Sequence, residues 1–193
     1  MDRTAEIKRK TNETDIKVVM NLDGVGKYEI DTGIGFLDHM LTHLSKHSRM
    51  DLTVKAKGDL GVDAHHTVED VAICLGEGLA KALGDKRGIS RYGHSSVPME
   101  DALANIAIDL SGRAFCVYNV DYRTDKIGDF DVECIEEMLR AFSNTARCNL
   151  HINVPYGTNS HHIAEAVYKA LGQAIAQAVK IIGTDIPSTK GIL

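Results

Sequence analysis

His65-His66-Thr67-Val68-Glu69-Asp70 is written a second time, as His161-His162-Ile163-Ala164-Glu165-Ala166, and the reading of that pair decides the fold. The alignment continues past the motif: Val71 matches Val167, Leu75-Gly76 matches Leu171-Gly172, and Ala80 matches Ala176. Upstream, Asp51-Leu52-Thr53-Val54 parallels Asn149-Leu150-His151-Ile152, and Leu37-Asp38-His39-Met40-Leu41 parallels Ile135-Glu136-Glu137-Met138-Leu139. Farther back, Met20-Asn21-Leu22-Asp23-Gly24 parallels Ile108-Asp109-Leu110-Ser111-Gly112. One copy is compatible with chance; a register shared by several segments implies a duplicated unit. Its period of roughly 90 residues is too long for a solenoid repeat. The expectation is one domain of two pseudo-symmetric α+β repeats, about 10–86 and 98–184, followed by a C-terminal tail at 185–193.

Periodicity fills in each half. Ile16, Val18, Met20 and Leu22 alternate as in a half-buried strand, and Asp23-Gly24 predicts a hairpin turn into Lys27 to Ile30. Leu37, Met40, Leu41 and Leu44 recur at helical spacing, and His39, His43 and His47 share one face of that predicted helix. A strand from Asp51 to Ala56 precedes a helix that opens at the first motif and runs to Leu83. The second half repeats the plan: a strand from Ala102 to Leu110, a turn at Ser111-Gly112, and a return over Arg113 to Val120. A helix from about Val132 to Ala146, a strand from Asn149 to Val154 and a helix at the second motif complete it. In the first motif helix the apolar stripe of Val68, Val71, Leu75, Leu79 and Ala82 lies roughly 120° from His65, His66 and Glu69, at about 100° per residue. The motif side chains are therefore expected to point away from the core.

With 193 residues, 44% of them hydrophobic, the chain can bury a proper core. A formal net charge of −5 leaves no basic footprint for nucleic acid. Cys74, Cys116, Cys134 and Cys148 form no C-x-x-C pair and sit in apolar runs, as reduced core thiols of a cytoplasmic protein do. The N-terminus has no apolar signal region, and no run approaches the ~18 apolar residues of a membrane helix.

On a helix, either histidine of the motif can meet a metal together with the glutamate three or four positions on. Adjacent histidines diverge by about 100° and do not easily serve one ion. Two ions, each taking one histidine from each copy, resolve this. Imidazole with carboxylate and no thiolate suits zinc, iron or manganese, and the order H-H-x-x-E is not that of the zincin proteases. The bland alternative is a pair of hydrogen-bonded histidines at each helix start. Arg91, Arg113, Lys169 and Lys190 are candidates to gather around a phosphate, although each alone reads first as a solvated surface charge, and no Gly-rich phosphate loop accompanies them.

Together, GFLDHMLTHLSKH, DAHHTVEDVAICLGEGL, GISRYGH, DLSGR, LHINVPYGTNSHHIAEAVYKA and PSTKG resemble the imidazoleglycerol-phosphate dehydratase family over essentially the whole chain. The resemblance implies two α+β halves, each a small, mostly antiparallel sheet with two helices, the helices packed between the sheets. It implies a homo-oligomer of 24 subunits built from trimers, with two manganese ions per active site at subunit contacts. Carried onto this chain, one ion would take His65, His161 and Glu165, and the other His39, His66, Glu69 and His162. The family often has histidine at the position of Glu137; here Glu137 is read as a carboxylate ligand, and its repeat mate is His39. The same resemblance assigns Arg91, Arg113, Lys169, Ser188 and Lys190 to the substrate phosphate, and Glu13 to a mobile acidic position that reaches substrate. His43 and His47, on the face of His39, are further candidate substrate contacts. Members with a preceding phosphatase domain also exist, and that second activity is expected to be missing here.

The implied reaction is metal-dependent loss of water from imidazole glycerol phosphate to give imidazole acetol phosphate, in histidine biosynthesis. A carboxylate must take the carbon-bound proton, and Glu165 and Glu13 are both candidates. Two alternatives remain at this stage: a non-catalytic metal-binding oligomer, and a dimetal hydrolase of a phosphorylated substrate.

Overall fold

The computed structural model describes residues 3–193. Its first half runs β1 (Thr4–Lys10), β2 (Thr14–Asn21), β3 (Tyr28–Asp31), α1 (Gly35–Ser48), β4 (Asp51–Gly58) and α2 (His65–Leu83). The second half repeats that order as β5 (Tyr92–Met99), β6 (Ala102–Asp109) and β7 (Phe115–Asn119), with a short ribbon of β8 (Lys126–Ile127) and β9 (Phe130–Asp131) inserted. It closes with α3 (Glu133–Ala146), β10 (Asn149–Tyr156) and α4 (Ser160–Ala178).

The two sheets have the same strand order, β1-β2-β4-β3 and β5-β6-β10-β7. They also share register. Thr4 faces Asn21 and Asn21 faces Asp51 in the first sheet; their repeat mates Tyr92, Asp109 and Asn149 pair in the same way in the second. A shift of one residue would turn every side chain to the other face, so matched register is stronger evidence of duplication than matched order. The fold is α+β with two similar halves, as the sequence predicts.

The helices lie between the sheets. α2 packs on β1, β2 and β4, α4 packs on β5 and β6, and across the halves α2 meets α3 while α1 meets α4. Val68, Val71, Leu75 and Leu79 on α2 and Ile163, Val167, Leu171 and Ile175 on α4 are buried at helical spacing. Each such side chain contributes about 1.5–3 kcal/mol on burial. Both interhelical crossings use a glycine at the same repeat position: a Cβ on Gly76 would come 2.6 Å from the Phe142 carbonyl oxygen, and one on Gly172 would come 2.9 Å from the Ser48 nitrogen.

Two expected hairpins are not there. β3 runs parallel to β4, and β7 runs parallel to β10, instead of folding back on β2 and β6. The chain after Asp23-Gly24 crosses the end of β4, where the Asp51 carboxylate accepts the amides of Val25 and Lys27, both at 2.9 Å. Gly24 is demanded by that crossing: a Cβ there would stand 2.5 Å from the Asp51 nitrogen. The partners that β2 and β6 actually turn from are β1 and β5, strands the periodicity did not reveal. In β1 only Ala5 is fully buried, so the alternation is too weak to read.

The four cysteines are free, and Cys74, Cys134 and Cys148 are buried. Burial pushes the Cys74 and Cys148 thiols up to about 12, which removes them as nucleophiles at neutral pH. No helix among the described residues is long and apolar enough to cross a membrane.

Candidate metal and substrate site

The face shared by His39, His43 and His47 on α1 is laid against α4, and the second motif meets it there. The His39 and His43 rings meet edge to face with centroids 4.5 Å apart, and the His43 and His47 rings are tilted with centroids 5.9 Å apart. The Glu165 carboxylate sits beneath them: Oε2 is 3.3 Å from His39 Nε2 and 3.2 Å from His161 Nε2. Its Oε1 is 3.4 Å from His43 Nε2 and 2.5 Å from Lys169 Nζ. Glu165 is buried, contrary to the expectation that the motif points away from the core, because α1 lies over this part of α4.

Burial pulls the Glu165 carboxyl upward, but the Lys169 ammonium and the neighbouring histidines outweigh it and hold it down to about 2. His43 is pushed down to about 4, first by burial and then against the attraction of Glu165. The cluster therefore presents an ionised carboxylate and a neutral imidazole at neutral pH, which is the protonation state a divalent cation needs.

The motif histidines stand at the starts of α2 and α4. Asn159 caps α4, its Oδ1 accepting the amide of His161 at 2.9 Å, and Asp63 likewise accepts the amide of His65 at 2.8 Å. The second histidine of each pair is held through Nδ1: His66 by Asp59 at 3.0 Å, and His162 by Asp101 at 2.5 Å. Asp101 is itself gripped by the Thr158 hydroxyl and the amides of Thr158 and Asn159, at 2.5, 2.6 and 2.9 Å. The Thr158 hydroxyl first, then His162 and the two amides, holds the Asp101 carboxyl well below the usual carboxylate range.

Glu13 lies in the turn between β1 and β2, its carboxylate 3.9 Å from His66 Nδ1 and its side chain 54% exposed. The turn is tied to α2 through Asp70, which accepts Arg9 Nε at 2.7 Å and the Thr14 hydroxyl at 2.5 Å. That anchor explains why a flexible-looking N-terminal hairpin brings a carboxylate to the motif.

Two groups of metal-type ligand atoms thus form within one chain, His39 with His43 and Glu165, and Glu13 with Asp59 and His66. His161 joins the first through Glu165. His162, held by Asp101, belongs to neither group, and His65, Glu69 and Glu137 do not either. By the repeat these last three are the mates of His161, Glu165 and His39, on α2 and α3; His65 and Glu69 are half-buried and Glu137 is exposed. A cleft of 840 Å³ opens beside His39 and His161, with Phe36, Phe130, Asp63 and Asp129 among its lining.

The phosphate candidates divide. Arg91 is ion-paired with Asp109, Nε to Oδ1 at 2.7 Å, and its Nη1 donates to the Pro187 carbonyl at 2.9 Å. It therefore fastens the tail that carries half-buried Ser188 and exposed Lys190. The Ser111-Gly112 turn before exposed Arg113 lies at the same end, with the Leu193 backbone 2.9 Å from where a Gly112 Cβ would be. Lys169 instead belongs to the Glu165 cluster. Asp59 and Asp101 were missed by the sequence reading, although one signal was available: the repeat that aligns Met20 with Ile108 also aligns Glu13 with Asp101.

The chain resembles known proteins throughout. The family model for imidazoleglycerol-phosphate dehydratase matches residues 32–175. A protein of that name from Exiguobacterium is 57% identical over 190 residues, covering 98% of this chain and 97% of its own. One from Desulforudis audaxviator is 53% identical over 192 residues, covering 99% and 98%. Among solved structures, the Pyrococcus furiosus enzyme in complex with (S)-C348 superposes with a TM-score of 0.85 at 36% identity, covering 97% of this chain and 100% of its own. The Staphylococcus aureus enzyme gives 0.84 at 35% identity, covering 92% and 99%.

Proposed function

The chain belongs to the imidazoleglycerol-phosphate dehydratase family, and from that premise we propose that it is a metal-dependent hydro-lyase converting imidazole glycerol phosphate to imidazole acetol phosphate in histidine biosynthesis. The observation that carries the metal dependence is the convergence of His39, His43 and His161 on the Glu165 carboxylate. His39, His43 and Glu165 offer three ligand atoms lying within 4.8 Å of one another, with no thiolate among them, a donor set that fits manganese or iron. We propose two manganese ions per site, held by His39, His65, His66, Glu69, Glu137, His161, His162 and Glu165. His65, Glu69 and Glu137 stand outside both groups, which supports a site completed by neighbouring chains in a cytoplasmic shell built from trimers.

When bound, the ions supply Lewis-acid stabilisation of negative charge on the substrate imidazole. The chain's own groups divide the remaining work. Glu165 has both oxygens engaged by Lys169 and three histidines, so it serves as a fixed anion that orients the site. Glu13 is the carboxylate with freedom to receive the carbon-bound proton, being largely exposed at a turn beside His66. Arg91 positions the tail so that Ser188 and Lys190, joined by Arg113, approach the substrate phosphate, while Lys169 stays paired with Glu165.

Incubation with imidazole glycerol phosphate tests this directly. Loss of one water with the phosphoester intact is expected. Release of inorganic phosphate would make the protein a hydrolase, and manganese uptake without any turnover would make it a metal-binding shell.

A further inference from the structure

We propose that Asp101 is a positioning residue for His162: it fixes the ring tautomer and orientation so that Nε2 carries the lone pair and faces the ligand side. The inference rests on the metal reading above. A carboxylate can only accept, so His162 Nδ1, 2.5 Å from Asp101 Oδ1, carries the proton. The other ring nitrogen is then left as an acceptor, the form in which imidazole binds a metal. Asp101 is in turn kept ionised and immobile, since its Oδ2 takes three donors from Thr158 and Asn159.

The first repeat supplies an independent argument. His66, the repeat mate of His162, also has a carboxylate on Nδ1, at 3.0 Å, but there the carboxylate is Asp59 from the loop after β4. In the second repeat a one-residue shift in β10 brings Gly157 to the position of Gly58, each facing the same helix position, Ile163 and Thr67, so the mate of Asp59 is Thr158. Thr158 offers no carboxylate and instead donates its hydroxyl to Asp101, which comes from the β5–β6 turn at the position matching Glu13. The two halves have thus diverged in which element carries the carboxylate while keeping the same bond to the same nitrogen. A bond needed only to stitch one loop would not be rebuilt from a different place. Having Asp59 for the clamp also leaves Glu13 unencumbered in its turn.

The test uses Asp101→Asn in the full, assembled protein, stripped of metal and titrated with manganese against a competing chelator. The asparagine oxygen can still accept from Thr158 and Asn159, but its amide then points a donor at Nδ1 and forces the proton onto Nε2. We expect manganese affinity to fall about 10- to 100-fold, with the metal-free protein melting as the parent does. In a His162→Gln background the same change should cost nothing further. Parent-like affinity in Asp101→Asn, or an equal extra loss in the His162→Gln background, would overturn the positioning role. If the parent itself takes up no manganese, the metal reading fails and this inference falls with it; parental uptake separates the two failures.

Discussion

Consider an added methyl at each of the two glycine crossings, Gly76→Ala and Gly172→Ala. Alanine is better than glycine inside a helix by about 1 kcal/mol, so on local propensity both variants should be stabilised. The structure opposes this unequally. At Gly76 the new Cβ would lie 2.6 Å from the Phe142 carbonyl oxygen and 2.7 Å from the Ala146 nitrogen. Those are backbone atoms of α3 and must retreat by about 1 Å to reach ordinary contact. Overpacking of this kind costs about 1–3 kcal/mol, and toward the upper end when backbone must move. The net loss is about 1–2 kcal/mol, which for a chain of this size lowers Tm by about 2–8 °C. At Gly172 the contacts are 2.9 Å to His47 Cβ and to the Ser48 nitrogen, so α1 need give only about 0.5 Å and stability stays near that of the parent. Yet α1 carries His39 and His43 over Glu165, and displacing catalytic geometry by even 1 Å can cost about 100-fold in rate. The predicted pattern is a crossed one: Gly76→Ala melts early, while Gly172→Ala melts normally and turns over roughly tenfold more slowly. Melting of the metal-free protein and steady-state kinetics of the manganese form measure both. A Gly76→Ala protein that melts at or above the parent would show that propensity wins and that the helices do not approach as closely as argued.

Three further outcomes follow from the site. Glu13→Gln should bind manganese as the parent does and lose about 10²–10⁴ in kcat; parent-like turnover would place the base elsewhere. Glu165→Gln should lose turnover to a similar degree and also weaken manganese binding, because Lys169 and three histidines would then surround a neutral amide; tight binding in a chelator competition would remove it from the ligand set. For the metal-free protein, acid should act in two stages. His43 titrates at about 4 in the fold against an ordinary 6.5, so the unfolded chain binds its proton first and stability declines as pH falls through that window. Glu165, held at about 2 against 4.5, adds a loss that sets in below the ordinary value and is complete once the folded group is protonated. Urea melts across pH 7 to 3 follow both stages, and a His43→Gln variant should lack the upper one; a flat profile above pH 5 would contradict the buried, neutral His43.

How much of this was written in the sequence depends on whether a feature is local or borrowed. The helices were legible because Leu37, Met40, Leu41 and Leu44, or Val68, Val71 and Leu75, bury one face with helical spacing. The repeat was legible because register leaves its mark on aligned positions. Parallel pairing of β3 with β4 was not, since it follows from Asp51 capturing the chain after Gly24, a contact between positions far apart in sequence. The burial of Glu165 was misjudged for the same reason: the helical wheel of α4 places it off the core of its own half, and α1 covers it. Asp59 and Asp101 carry no motif of their own. Only their approach to an imidazole nitrogen gives them meaning, and the repeat offset was the one thread leading to Asp101.

The proposed reaction needs two metal ions held by histidines and carboxylates drawn from both repeats. The most direct test is the number of manganese ions bound per chain as metal-stripped protein regains turnover of imidazole glycerol phosphate. Two ions per chain, with turnover absent before metal is added and complete at that ratio, is the predicted result. Full turnover in rigorously metal-free protein, or saturation at a single ion per chain, would contradict it.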